Sequence, residues 1–201
     1  MRRIPGDNLE TGSLARDEQE IMKLRIIFIH GNQCTHWSFA WAPWLKRELE
    51  KKGLETFFET FPDSIIARAD YWLPFLKEHV KAAENDVIVG WSSGAVAALR
   101  YVEENKVRGS VLVAPSYTDL GDELEKQSGY FSKPWNWESI KINQKNIALV
   151  HSDNDPLISQ DQFAFITDKL KPDIIKISGA KHFIEQDTFP EILEYLLKTY
   201  S

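Results

Sequence analysis

The chain has 201 residues, 43% hydrophobic and 27% charged, a balance near that of soluble globular domains and a length suited to one domain with its own core. Its 24 Lys and Arg against 30 Asp and Glu give a net charge of −6, which excludes the basic footprint of a general nucleic-acid binder. A single Cys excludes an intramolecular disulfide and points to an intracellular, cytoplasmic setting, and no apolar run approaches the roughly 18 residues of a membrane helix.

Residues 1–20 hold Pro5, Gly6, Gly12 and many charges without apolar periodicity, and they read as a mobile tail. Arg2-Arg3 is followed by no apolar stretch, so a secretory signal is not expected, and Asp7 and Glu10 argue against a mitochondrial presequence. A single domain is expected over residues 21–201. Residues 24–29 read as a strand that is continuously apolar from Ile26 to Ile29, the kind buried on both faces of a parallel sheet. Residues 39–52 read as a helix with Pro43 in its first turn and Gly53 closing it. Residues 54–60 are a second strand. Residues 66–82 place Tyr71, Trp72, Phe75, Leu76, His79 and Val80 at helical spacing, with a kink or restart expected at Pro74. Strands follow at 86–89, 107–113, 147–150 and 174–177, with helices at 95–104, 160–170 and 189–199. Six strands with interleaved helices predict an α/β architecture with a mainly parallel sheet. The one long connection, residues 115–145, carries Tyr117, Tyr130, Phe131, Trp135 and Trp137; connections of that length are functional or hold short helices of their own.

The chemistry concentrates after the third strand, where Gly90-Trp91-Ser92-Ser93-Gly94 fits G-x-S-x-G. A nucleophilic Ser must project from a very tight strand-to-helix turn, and small residues two before and two after keep the chain from colliding with itself. The motif alone is weak, but here an apolar strand precedes it and an Ala-rich helix follows. The Ser93 N–H then lies at a helix start, placed to donate to an oxyanion.

Serine needs a base to take its proton and a carboxylate to orient that base. In this design the chain order is Ser, acid, His. His151-Ser152-Asp153-Asn154-Asp155-Pro156 follows the fifth strand and Gly179-Ala180-Lys181-His182-Phe183 the sixth. Both segments leave carboxyl ends of strands, where sites of open α/β sheets form. His182 is therefore the expected base, in preference to His30, His36, His79 and His151. Asp155, stiffened by Pro156, is the expected acid, with Asp153 as the alternative. The second oxyanion donor is expected from Asn32 or Gln33 in the first loop, which a strand order 2-1-3-4-5-6 would bring beside Ser92. Cys34 lacks the elbow context of a nucleophile.

The motifs Gly90-Trp91-Ser92-Ser93-Gly94-Ala95, Asp119-Leu120-Gly121-Asp122-Glu123, Ser128-Gly129-Tyr130-Phe131, Pro134-Trp135-Asn136-Trp137, Asp155-Pro156 and His182-Phe183 resemble the retinoblastoma-binding protein 9-like serine hydrolases, a small family of the α/β-hydrolase fold. The resemblance covers about residues 24–200. It implies a compact α/β-hydrolase, with a six-stranded mainly parallel sheet flanked by helices and no large cap domain, and it carries the family's Ser, Asp and His onto Ser92, Asp155 and His182. Where that family often has His before its nucleophile, this chain has Trp91, and its first loop is poorer in Gly. The family name reflects a proposed retinoblastoma-protein interaction through an L-x-C-x-E type motif. The one Cys, in Asn32-Gln33-Cys34-Thr35-His36, does not fit it, so that partner is not expected.

These readings converge on hydrolysis of a small ester or amide, of the carboxylesterase or aminoacyl-esterase kind, through an acyl-enzyme. Trp91, Trp135 and Trp137 are candidate pocket walls, and no cofactor or metal is expected. A non-catalytic interaction module on the same fold is the alternative. A metal hydrolase built on His30, His36, His151 and Asp153 is disfavoured, because no H-x-H or H-E-x-x-H spacing occurs.

Overall fold

Apolar runs uninterrupted by polar residues are stable only where both of their faces are covered. The sheet of this protein, a computed structural model that describes residues 24–33 and 36–200, places such runs at its centre. β1 (Arg25–Ile29), β3 (Asp86–Trp91), β4 (Gly109–Val113) and β5 (Asn146–Ser152) are interior strands, while β2 (Glu55–Phe58) and β6 (Asp173–Ile177) are the edges. The order is β2-β1-β3-β4-β5-β6 and every pairing is parallel. This is the expected strand order. The expected tail at residues 1–20 and Cys34 lie outside the described residues.

From β1 the chain winds outward to β2, then returns past β1 to β3 and continues the other way. Right-handed crossovers in opposite directions put helices on opposite faces. Accordingly α1 (Ala42–Lys51) meets α7 (Pro190–Tyr200), while α2 (Ala69–Pro74), α3 (Ser93–Val102), α5 (Trp137–Ile142) and α6 (Gln160–Leu170) form a second contiguous set. The reversal leaves a crevice between the carboxyl ends of β1 and β3. Ile26, Ile27, Phe28 and Ile29 of β1 and Val87, Ile88 and Val89 of β3 are fully buried there.

Two helices depart most from the sequence reading. α1 begins three residues later than expected, with Pro43 in its first turn. The helix expected over 66–82 starts only at Ala69. Ala67 has a left-handed φ of 60° and Arg68 is extended, with its N–H held by Asp63 Oδ2 at 3.1 Å. Pro74, which has no N–H to donate, ends the α-helical part; a wider π-helical stretch, Phe75–Val80, continues it to a left-handed Lys81.

The long connection after β4 carries two short helices, α4 (Glu123–Ser128) and α5. Asp122 Oδ1 caps α4 by accepting the Leu124 and Glu125 N–H groups, and Gly129 at φ 81° ends it. Arg100, buried on α3, fastens the connection. Its guanidinium donates to the carbonyls of Tyr130 (2.7 Å), Lys133 (2.6 Å) and Pro134 (3.1 Å) and pairs with Glu103 at 2.7 Å.

Candidate active site

Ser92 sits between β3 and α3 with φ 57° and ψ −122°, a conformation that costs an L-residue roughly 1–3 kcal/mol. Its surroundings enforce that conformation. The Ser92 N–H donates to Val113 C=O at 2.9 Å, and its own C=O accepts the N–H groups of Ala95 (2.9 Å) and Val96 (3.2 Å). A Cβ at Gly90 would lie 2.5 Å from the Gly94 carbonyl oxygen and 2.7 Å from Ala95 Cα, and one at Gly94 would collide with the carbonyls of Ile29 and His30. Both glycines are thus required by close approach, and the turn is pressed directly onto the end of β1.

β5 and β6 supply the partners. His182 Nε2 lies 3.0 Å from Ser92 Oγ, and His182 Nδ1 lies 2.8 Å from Asp155 Oδ2. The Asp155 side chain is fully buried and that of His182 is 5% exposed. Asp155 Oδ1 accepts the N–H groups of Leu157 (2.9 Å) and Ile158 (3.0 Å), which fixes the carboxylate from its far side. With Nδ1–H donating to Asp155, Nε2 is the basic nitrogen facing Ser92. Asp153 faces elsewhere, accepting from Ser178 Oγ (2.8 Å) and the Gly179 N–H (2.9 Å), and these bonds hold its carboxyl below the ordinary range.

The other histidines have separate roles. His30 is buried; Phe61 N–H donates to its Nε2 at 2.9 Å, so Nδ1 carries the hydrogen and donates to Gly31 C=O at 2.6 Å. Burial pushes its pKa down to about 4, and the neutral ring is a strut beneath the first loop. His36 contacts Ser38 Oγ, and His79 contacts Glu59 on the surface. His151 lies within β5, its pKa lowered by burial. Among the described residues no group of three or more His, Cys, Asp or Glu converges as a metal site, and no helix is long and apolar enough to cross a membrane.

A cleft of about 250 Å³ opens over Ser92. Of the expected residues, Asn32, Gln33, Trp91 and His182 line it with Ser92, and the remaining walls are Gly31, Phe39, Leu157 and Ile184. Trp91 lies parallel to Phe39 at 6.1 Å between ring centroids, and its Nε1 donates to His182 C=O at 3.2 Å. Gln33 needs a correction as an oxyanion donor. Its N–H donates to Ile65 C=O at 3.0 Å, so it contributes wall rather than that hydrogen bond. Trp135 and Trp137 also need one, since neither lines the cleft. They stack on each other at 5.4 Å; Trp135 lies under the Arg100 guanidinium at 3.5 Å and donates to Tyr117 C=O. A ring covering a buried guanidinium, as Trp135 does, gains more there than at a wet cleft.

The sequence reading missed Phe39, Leu157, Ile184 and, above all, Glu125. The Glu125 Oε1 accepts from Asn32 Nδ2 at 2.7 Å and from Ser93 Oγ at 3.1 Å. Burial pushes its carboxyl upward, while the two donors act in the opposite sense. Its position in an acidic, polar run reads as a solvated helix start, and nothing local marks it as buried.

Parallel strands ordered 2-1-3-4-5-6, with a serine on a strained turn at the switch point, define an α/β-hydrolase. A model of the serine hydrolase family matches residues 26–197, so the chain belongs to the serine hydrolase family and is a hydrolase. Serine hydrolase RBBP9 of Rattus norvegicus is 37% identical over 164 residues, 81% of this chain and 86% of that relative. The crystal structure of the ydeN gene product of Bacillus subtilis is similar with a TM-score of 0.79 and 22% identity, covering 88% of this chain and 97% of that one. The esterase PF2001 of Pyrococcus furiosus is similar with a TM-score of 0.60 and 20% identity, covering 87% and 81%. At those identities the two structures speak for the fold alone.

Proposed function

We propose that this hydrolase cleaves a small carboxylic ester or amide through an acyl-enzyme on Ser92. The observation that carries the reading is the unbroken chain from buried Asp155 through His182 to Ser92 Oγ, with contacts of 2.8 and 3.0 Å. Ser92 Oγ attacks the substrate carbonyl while its proton passes to His182 Nε2. Asp155 Oδ2 holds Nδ1–H and balances the charge of the imidazolium. The Ser93 N–H at the start of α3 and the first loop at Asn32 face the developing oxyanion. As the tetrahedral centre collapses, the carbonyl–heteroatom bond breaks and His182 returns its proton to the departing alcohol or amine. Water, deprotonated by the same nitrogen, then releases the acid and frees Ser92 Oγ.

The cleft argues for the kind of substrate. Its volume is below the roughly 300–1,000 Å³ usual for drug-sized ligands, and Phe39, Trp91, Leu157 and Ile184 give it apolar walls. A short, uncharged acyl group fits that surface. The test is a panel of p-nitrophenyl esters from acetyl to decanoyl, with aminoacyl esters and anilides, assayed beside Ser92→Ala. The expected result is turnover that peaks at short acyl chains and vanishes in the variant. Preference for decanoyl, or equal turnover by Ser92→Ala, refutes the proposal.

A further inference from the structure

A mostly buried carboxyl is costly unless its hydrogen bonds serve the fold or the chemistry. Glu125 spends both of its short contacts on the active site. Its Oε1 is shared by Asn32 Nδ2 and Ser93 Oγ, and its Oε2 is buried without a partner. Asn32 belongs to the loop that leaves β1, and Ser93 directly follows the nucleophile. β1 and β3 are paired as far as Ile29 and Gly90, and Gly94 packs on the carbonyls of Ile29 and His30; the shared oxygen adds a side-chain clamp beyond those backbone contacts.

Glu125 itself is held from a third direction. A six-residue helix has little stability of its own. α4 is nonetheless fixed by the Asp122 cap, by Ser128 Oγ donating to Glu125 C=O at 2.6 Å, and by Arg100 gripping Tyr130 C=O just beyond its end. The carboxyl is therefore presented by the long connection, whose anchor is the buried Arg100.

We propose that Glu125 is the positioning residue of the oxyanion site, its Oε1 fixing the separation between Asn32 and Ser93. The proposal rests on the reading of Ser92 as nucleophile. Oxyanion donors act only when they lie about 2.7–3.1 Å from where the charge develops, and misplacement by an ångström costs on the order of 10²-fold. Oε1 accepts both hydrogen bonds whether or not the carboxyl is ionised, so the clamp does not depend on charge. The side-chain carbonyl of Gln at this position can accept the same pair.

The experiment compares Glu125→Leu, Glu125→Gln, Ser93→Ala and Ser92→Ala, with kcat and KM for p-nitrophenyl acetate and the melting temperature of each. Glu125→Leu is expected to lose on the order of 10²-fold in kcat with KM little changed. Glu125→Gln recovers kcat to within about threefold of the parent. Ser93→Ala, which removes one tether but keeps its backbone N–H, loses about tenfold, so the clamp remains testable if Glu125→Leu does not fold. An unchanged kcat in folded Glu125→Leu or in Ser93→Ala overturns the proposal, as does a Glu125→Gln as impaired as Glu125→Leu. A Ser92→Ala that still turns over defeats the serine reading itself. An inactive Ser92→Ala beside an unimpaired Glu125→Leu defeats only the role of Glu125.

Discussion

Replacing Asp155 by Asn changes one atom in a fully buried side chain, and the structure says which contact suffers. Oδ1 accepts the N–H groups of Leu157 and Ile158 at 2.9 and 3.0 Å, and the Asn oxygen keeps those bonds. The new NH₂ therefore occupies the place of Oδ2, 2.8 Å from His182 Nδ1. Two donors cannot face each other, so the ring must place its hydrogen on Nε2, the nitrogen 3.0 Å from Ser92 Oγ. That nitrogen can then no longer accept the Ser92 proton. Comparable triads lose about 10⁴ in kcat for this change of tautomer, equivalent to roughly 5.5 kcal/mol of activation free energy. The fold should survive, because both backbone amide contacts do. Asp153→Asn is the internal control. Its bonds to Ser178 and Gly179 are on the surface and reach neither His182 nor Ser92, so its activity should stay within about threefold of the parent. Ester turnover by both variants, with near-ultraviolet circular dichroism to verify folding, decides the matter. A folded Asp155→Asn within tenfold of the parent, or a larger loss in Asp153→Asn, would rule out Asp155 as the group that orients His182.

Two further outcomes follow from buried groups away from the nucleophile. Arg100→Met leaves Glu103 buried with its closest cation removed and three carbonyls without their donor, so stability should fall by roughly 3–5 kcal/mol; a urea midpoint that implies less than about 1 kcal/mol contradicts this. His30 is held neutral in the fold, with a pKa of about 4 against about 6.5 in the unfolded chain. Between those values the unfolded state binds more protons, so this contribution is complete above pH 6.5 and is lost as pH falls towards 4, on the order of 3 kcal/mol in all. His30→Gln should flatten the dependence of melting temperature on pH in that window, and an unchanged slope contradicts the assignment.

The parts of the protein legible in the sequence are those fixed by local sterics or by period. Gly90 and Gly94 flank Ser92 because no Cβ fits at either place, and that requirement is written into five consecutive residues. The strand order follows from apolar runs that need cover on both faces together with one reversal of winding. Asp155 could be preferred over Asp153 because Pro156 stiffens its turn, and the geometry places Asp155 against His182. The rest depends on contacts between distant segments. Trp135 and Trp137 look like cleft aromatics until Arg100, more than thirty residues earlier, is found stacked on Trp135, with Trp137 packed against that ring. Leu157 and Ile184 are ordinary loop residues that become cleft walls only when β5 and β6 lie side by side. Glu125 has neighbours typical of a solvated helix start, and its burial arises only when α4 docks against the first loop and the elbow.

The proposed chemistry stands or falls with Ser92 as the activated nucleophile. The most direct measurement is intact-mass and peptide mass spectrometry after brief exposure to a fluorophosphonate, which reacts with a serine that has a base at its hydroxyl. One adduct per chain is expected, mapped to Ser92 and absent in Ser92→Ala. An adduct on Ser93 or Ser116, or undiminished labelling of Ser92→Ala, would contradict it.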